Sequence, residues 1–126
     1  MLVDSTIYIE LLRRGEDVPF LLRPALLGGQ LFVCGVVRVE VLRGIRSVVV
    51  RDELSELFDL MTDVPMDTRI WRKATDLAWT LDRRGTVLPL TDLVIASCAL
   101  VVGAPVVTND PHFWQIPGLT VKKSFS

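Results

Sequence analysis

Short apolar runs alternate along the chain with longer segments in which apolar residues recur every three or four positions. The first pattern is typical of buried strands and the second of helices. The predicted extended segments are residues 1–3, 31–34, a short strand at Val64 at best, 104–108 and 120–122.

The helical segments carry start and stop signals. Ser5, Asp67 and Thr91 are natural N-caps, because their side chains accept hydrogen bonds from the free N–H groups of a first turn. Gly35 is a predicted turn, and Pro24 is expected to kink the helix that contains it. The predicted helices are residues 5–14, 18–27, 36–43, 49–61, a long amphipathic helix after Asp67 that Gly85 closes, and one from Thr91 that ends at Gly103.

Helices separate the predicted strands throughout. This alternation predicts an α/β fold with a mostly parallel sheet that is covered on both faces. The chain has 126 residues, half of them hydrophobic, which suits one compact domain over residues 1–126.

Composition excludes several classes of protein. Cys34 and Cys98 lie far apart and have no accompanying histidines, which excludes a Cys/His zinc site and fits reduced, buried thiols. The most apolar run, residues 93–107, contains a glycine and a proline and is shorter than the ~20 residues that span a bilayer. The amino terminus has no basic leader. We therefore expect a soluble, cytoplasmic protein with no membrane segment.

Four acidic residues, Asp4, Glu40, Asp92 and Asp110, stand where predicted strands end or just inside a neighbouring helix. If the strands before Asp4 and Asp110 are parallel neighbours, their carboxylates meet at the carboxyl edge of the sheet, where open α/β folds bind ligands. Two unit charges about 4 Å apart repel by roughly 4 kcal/mol at a protein-like dielectric. Such a cluster therefore predicts a divalent metal ion.

Each acid also has a purely structural interpretation. Asp4 and Asp92 could stabilise the amino-terminal ends of helices, and Asp110 could stabilise a turn. Glu40 could form a surface pair with Arg43, worth ~0.2 to 0.5 kcal/mol. The convergence of all four on one predicted edge favours a site.

The net charge of −1, from 14 basic and 15 acidic residues, gives no hint of a polyanionic partner. Without the four clustered acids, 14 positive side chains stand against 11 negative ones. Most of the arginines are expected on solvated helix surfaces, and only those near the acidic pocket are candidates for phosphate contacts.

Four segments of the chain look like the signature segments of PIN-domain ribonucleases, in the order and spacing of that family. They are residues 3–6, 39–44, 90–96 and 107–113, the last of which reads T-x-D-x-x-F. In size the chain is most similar to the VapC-type toxins of toxin-antitoxin pairs. The resemblance covers nearly the whole chain.

The resemblance implies a three-layer α/β/α sandwich whose central strand ends at Asp4. It implies a metal-dependent endoribonuclease, an RNA substrate, a VapB-type antitoxin and a homodimer. It assigns Asp4, Glu40, Asp92 and Asp110 to the catalytic, metal-binding set, with Thr108 as a polar neighbour and Phe113 as packing. The chain departs from the family pattern at Cys34-Gly35, where Ser or Thr is common, and at Arg38, where an apolar residue is common.

Carboxylates suit Mg²⁺ or Mn²⁺ rather than zinc. Such an ion activates a water for in-line attack on a phosphodiester, and a second ion can stabilise the leaving oxygen. Asp4 and Asp110, on adjacent strand ends, are the expected direct ligands. Glu40 and Asp92 are expected to bind through water or to transfer protons.

Other conspicuous residues have structural interpretations. His112 is expected on the surface or in packing, and Trp71 and Trp79 in the core or a subunit interface rather than as a base-stacking platform. Phe20, Leu21 and Leu22, near Leu11 and Leu12, form either a groove for an antitoxin peptide or plain core packing.

Two other classes remain as alternatives. A Mg²⁺-binding receiver domain would have adjacent acids after its first strand and an acceptor Asp after a middle strand, whereas Asp4 stands alone and Cys34 and Val64 occupy the middle strands. A catalytically inert PIN module would bind RNA or protein without cleavage. The presence of all four acids argues against inertness.

Overall fold

The computed structural model describes residues 1–125 and contains a five-stranded sheet in the order β3-β2-β1-β4-β5, in which every pairing is parallel. The strands are β1 (Leu2–Val3), β2 (Phe32–Val33), β3 (Thr62–Asp63), β4 (Val106–Val107) and β5 (Val121–Lys122). The predicted α/β class and three-layer α/β/α architecture are confirmed. The strand that ends before Asp4 is the central one, as expected.

Helices connect consecutive strands. Within residues 1–125 they are α1 (Ser5–Arg13), α2 (Val18–Leu27), α3 (Gly35–Leu42), α4 (Val48–Asp59), α5 (Thr68–Arg83), α6 (Leu90–Val102) and a short 3₁₀ helix (Pro111–Gln115). Each predicted helix is present with small shifts at its ends. α2 continues through Pro24 without ending there.

Four predicted boundaries were wrong, at Ser5, Gly35, Thr91 and Val64. Gly35 is the first residue of α3 rather than a turn, and Cys34 occupies the N-cap position in an extended conformation without a side-chain cap bond. Pro89, not Thr91, is the N-cap residue of α6, because the fixed φ of proline suits the entry to a helix and lets it begin at Leu90. β3 precedes Val64, whose N–H nevertheless donates to the Val33 carbonyl.

Asp67 is the N-cap of α5 as predicted. Ser5 is not the N-cap of α1 but its first residue, because the extended residue Asp4 before it occupies the N-cap position. Both predicted thiols, Cys34 and Cys98, are free and buried. None of the helices in residues 1–125 combines the length and hydrophobicity that crossing a membrane requires.

The core lies around β1, β4 and α6. Both residues of β1 and of β4 are fully buried, and α6 is buried continuously from Asp92 to Ala99. α6 packs along the amphipathic α5, which buries Ile70, Ala74, Leu77 and Leu81. The first turn of α6, with Asp92, is therefore fixed at the end of a helix embedded in the core.

The two tryptophans of α5 are not core residues. Trp71 is 50% exposed and Trp79 is 62% exposed, and the guanidinium of Arg83 lies 4.9 Å from the Trp79 ring centroid. Their spacing places them away from the helix face that packs on α6. The expected core position is therefore wrong, and a subunit interface stays a prediction.

Candidate active site

Asp4 and Thr108 lie side by side at the carboxyl edge of the sheet. β1 and β4 pair in parallel with Leu2 opposite Val106 and Val3 opposite Val107, so both strands end at the same level. The Asp4 N–H donates to the Val107 carbonyl oxygen at 2.9 Å and continues the ladder by one residue. Asp4 and Thr108 are both buried.

Hydroxyl groups surround the carboxylate of Asp4. Its Oδ2 accepts hydrogen bonds from Thr6 Oγ1 at 2.8 Å and Thr108 Oγ1 at 2.9 Å. The Ser5 hydroxyl lies 3.4 Å from its Oδ1. Although Asp4 is the N-cap residue of α1, its side chain makes no capping hydrogen bond. The carboxylate is therefore held toward the sheet edge and is not used to cap the helix.

Glu40 reaches the same edge from α3. Its Oε1 accepts from the Ser5 hydroxyl at 3.1 Å, so Ser5 lies between the Asp4 and Glu40 carboxylates. Burial raises the pKa of Glu40, and the negative charges of Asp4 and Asp92 add to this effect, against the hydrogen bond from Ser5. The charge of Arg43 lowers the pKa of Glu40, although in residues 1–125 no ion pair joins the two side chains.

Asp92, Asp110 and His112 form the most compact group of potential metal ligands in the described residues. His112 Nδ1 lies 2.8 Å from Asp92 Oδ2 and 3.1 Å from Asp110 Oδ1. One donor atom from each residue lies within 4.8 Å of the other two. Burial raises the pKa of Asp92 and nearby acids add to this, while the hydrogen bond to Asp92 raises the pKa of His112.

Asp110 has two roles at once. Its Oδ1 accepts from the His112 N–H at 2.9 Å and so caps the 3₁₀ helix, which agrees with the turn-stabilising interpretation. Its own N–H donates to Thr108 Oγ1 at 2.9 Å. Thr108 also donates to Asp4. Its hydroxyl therefore connects the Asp4 carboxylate, at the end of β1, with the backbone of Asp110, after β4.

The four acids form one polar network, although not one equally tight cluster. Asp92 and Asp110 meet at His112, Thr108 connects Asp110 to Asp4, and Ser5 connects Asp4 to Glu40. Asp4 and Glu40 lie outside the group of donor atoms within 4.8 Å. A group of oxygen donors at a sheet edge fits a divalent cation.

Sequence reasoning placed His112 on the surface or in packing. The side chain is partly exposed, but its imidazole faces two of the four acids. The available signal was the spacing: His112 stands two residues after Asp110 and directly after Pro111, where a tight turn returns the side chain toward the strand end.

An apolar groove of about 450 Å³ adjoins the acidic network at Glu40. It is lined by α1, α3, the loop between α3 and α4, and the first turn of α4, namely Ile9, Leu12, Arg13, Glu40, Val41, Gly44, Ile45, Arg46, Ser47 and Val50. Phe20 and Leu21 are exposed and outside this lining, whereas Leu22 is buried in the core. Of the five residues expected to form a groove, only Leu12 lines this one.

The chain belongs to the PIN domain family, whose model matches residues 1–119. All four acids of the network lie within the matched range. No curated protein sequence matches the chain significantly.

Similar solved structures share the fold at low sequence identity. A chain of VapBC2 from Rickettsia felis, bound to a DNA fragment from its promoter, is 19% identical with a TM-score of 0.79, over 96% of each chain. A chain of DNA-bound VapBC from Salmonella typhimurium is 20% identical with a TM-score of 0.79, over 96% of this chain and 95% of that one. A chain of VapBC-5 from Mycobacterium tuberculosis is 20% identical with a TM-score of 0.67, over 98% and 97%.

Proposed function

We propose that the protein is a metal-dependent endoribonuclease and the toxin of a type II toxin-antitoxin pair. The observation that carries the proposal is the hydrogen-bonded network of Asp4, Glu40, Asp92 and Asp110 at the end of the central strands. Membership of the PIN domain family implies nuclease activity. The shared fold with VapBC chains supports the toxin assignment.

The proposed roles follow from the positions of the side chains. Asp4, Asp92 and Asp110 hold Mg²⁺ or Mn²⁺, with Thr108 fixing the Asp4 carboxylate. When bound, such an ion supplies a hydroxide at neutral pH for in-line attack on the phosphodiester. Glu40, whose pKa burial raises, accepts or returns a proton at its carboxylate while Ser5 fixes its Oε1.

Two arginines beside Glu40 are candidates for contacts with the RNA backbone. Arg13 and Arg46 line the apolar groove, and within the described residues neither takes part in an ion pair. Unpaired guanidinium groups bind phosphate oxygens well. We infer that RNA approaches the acids from this side.

Cleavage of RNA by the purified protein tests the nuclease assignment. Excess EDTA should abolish cleavage and Mg²⁺ or Mn²⁺ should restore it. Asp4→Asn should be inactive yet folded, whereas Asp17→Asn, the same change at the N-cap of α2, should retain activity. Robust cleavage by Asp4→Asn or in excess chelator would contradict the proposal. RNA binding without cleavage by the parent, on total cellular RNA, would support an inert PIN module instead.

We propose that the groove beside Glu40 is the binding site of a VapB-type antitoxin peptide. Its apolar lining suits such a segment, and a basic side chain at its end would face the acids. Expression of the protein should arrest growth, and coexpression of the small protein encoded next to it should relieve the arrest. Harmless expression at high level, with no small neighbouring reading frame, would refute the toxin assignment.

We further infer that residues 1–126 act as one domain, in the cytoplasm, as a homodimer. The resemblance to the family supports the dimer, and the exposed tryptophans of α5 offer a contact surface.

A further inference from the structure

We propose that His112 is itself a ligand of the metal site through Nδ1, and that this nitrogen makes the protein prefer Mn²⁺ over Mg²⁺. The inference rests on the proposed function, because it assumes a divalent cation at this edge of the sheet. It assigns a role to His112, which lies beside Asp92 and Asp110 but is not one of the four predicted acids.

The distances suit a shared cation. Neighbouring ligands of an octahedral ion with bonds of about 2.1 Å lie about 3.0 Å apart. His112 Nδ1 is 2.8 Å from Asp92 Oδ2 and 3.1 Å from Asp110 Oδ1. Nδ1 therefore lies at the separation of adjacent ligands from both carboxylate oxygens, and all three donor atoms lie within 4.8 Å of one another.

The backbone that presents the imidazole is held in place. The His112 N–H donates to Asp110 Oδ1 at 2.9 Å, and the Asp110 N–H donates to Thr108 Oγ1 at 2.9 Å. The next residue, Phe113, is fully buried and anchors the 3₁₀ helix in the core. The ring is therefore carried by an anchored turn, which favours a preorganised ligand over a surface side chain.

A nitrogen donor changes which ion fits best. Mg²⁺ binds oxygen ligands and water almost exclusively, whereas imidazole is a good ligand for transition metals. Carboxylates accept both Mg²⁺ and Mn²⁺, so the acids alone discriminate weakly. With His112 among the metal ligands, the site should bind Mn²⁺ more tightly than Mg²⁺.

Two simpler roles for His112 predict different behaviour. If the imidazole only orients Asp92 by a hydrogen bond, its removal weakens the binding of Mn²⁺ and of Mg²⁺ to the same extent. If the imidazole only occupies the place of the cation in the metal-free protein, its removal strengthens the binding of both ions. Direct ligation alone predicts a loss confined to Mn²⁺.

Calorimetric titration of the full chain with Mn²⁺ and with Mg²⁺ distinguishes these roles. His112→Ala should weaken Mn²⁺ binding by at least about tenfold and change Mg²⁺ binding by less than about threefold. Gln115→Ala, an exposed change on the same 3₁₀ helix, should alter neither. If His112→Ala weakens the binding of both ions equally, or strengthens the binding of both, the proposal is overturned.

Pulsed electron paramagnetic resonance of the Mn²⁺-loaded protein gives a second readout that needs no RNA. The parent should show coupling of manganese to a nitrogen nucleus, and His112→Ala should lose it. Bound Mn²⁺ without nitrogen coupling in the parent would overturn the ligation, even if the protein cleaves RNA. Nitrogen coupling in a parent that cleaves no RNA would instead count against the proposed function alone.

Discussion

Two hydroxyl side chains organise the acids of the candidate site. Thr108 donates to Asp4 and accepts from the N–H of Asp110, while Ser5 lies between Asp4 and Glu40. In residues 1–125 no buried side-chain nitrogen or oxygen lacks a hydrogen-bond partner. Because an unpaired buried polar group is costly, the positions of the Asp4 and Glu40 carboxylates depend on these hydroxyls.

Thr108→Val removes the hydroxyl and keeps the shape of the side chain. It leaves the Asp110 N–H without its acceptor and Asp4 Oδ2 without one donor, so the free energy of unfolding should fall by about 1 to 3 kcal/mol. RNA cleavage should fall at least about tenfold, because Thr108 orients a metal ligand. Chemical denaturation and cleavage assays measure the two effects. Thr108→Ser is the matched control and should stay near the parent; a valine variant with parental stability and activity would refute this role.

At the scale of the element, α6 links the core to the site. Its central residues are buried, and its first turn carries Asp92. A helix that is apolar on all sides has one place in the fold, between the sheet and its neighbouring helices. α6 consequently fixes Asp92 more firmly than an exposed helix or a loop would.

Ala96→Leu should disturb this element strongly. Ala96 is fully buried in the middle of α6, and extra methylene groups in a packed core cost about 1 to 3 kcal/mol. Urea denaturation measures the loss. Ala25→Leu, at a half-buried alanine of α2, is the matched control and should cost less. A leucine variant at position 96 with parental stability would show that α6 has free space around it.

At the scale of the molecule, the carboxyl ends of β1 and β4 and the start of α6 bring together residues that are far apart in sequence. Burial raises the pKa of Asp92, and the nearby negative charges of Asp110 and Asp4 raise it further. Metal binding should therefore couple to the stability of the whole fold, since a ligand of the native state stabilises it.

Asp110→Asn tests this coupling. At a hundred times the dissociation constant, Mg²⁺ should stabilise the parent by about 2.7 kcal/mol and the variant much less. Without metal the variant should stay within about 0.5 kcal/mol of the parent, because asparagine caps a turn as well as aspartate does. Thermal melts with EDTA and with millimolar Mg²⁺ measure both. Asp17→Asn should respond to Mg²⁺ like the parent; the same response from Asp110→Asn would remove Asp110 from the site.

The exposed tryptophans of α5 yield a prediction about assembly. Trp79→Glu should convert the proposed homodimer to monomers, because it removes a large apolar contact and taking the new charge out of water is costly. Sedimentation velocity measures the state of the protein. Val87→Glu, at another exposed apolar position, is the control and should leave the dimer intact. An unchanged dimer with Trp79→Glu would place the interface elsewhere.

The sequence by itself determined the class of the fold and the edge on which the site lies. Strands that alternate with amphipathic helices require a parallel sheet, and acids after those strands must then approach one edge. Local signals such as Asp67 at the start of α5 were sufficient for most helix ends. They failed at Gly35 and Thr91, where flanking residues allow more than one starting position and packing selects one.

Only the tertiary structure decided how the acids are grouped. Thr108 and Ser5 acquire their linking roles because β1, β4, α1 and α3 meet, and no local pattern encodes contacts across 104 or 35 residues. The orientation of His112 likewise depends on the 3₁₀ helix and on Asp92, which reaches it from α6. Sequence patterns report local conformation and burial, whereas distances between side chains of different elements arise only when those elements pack.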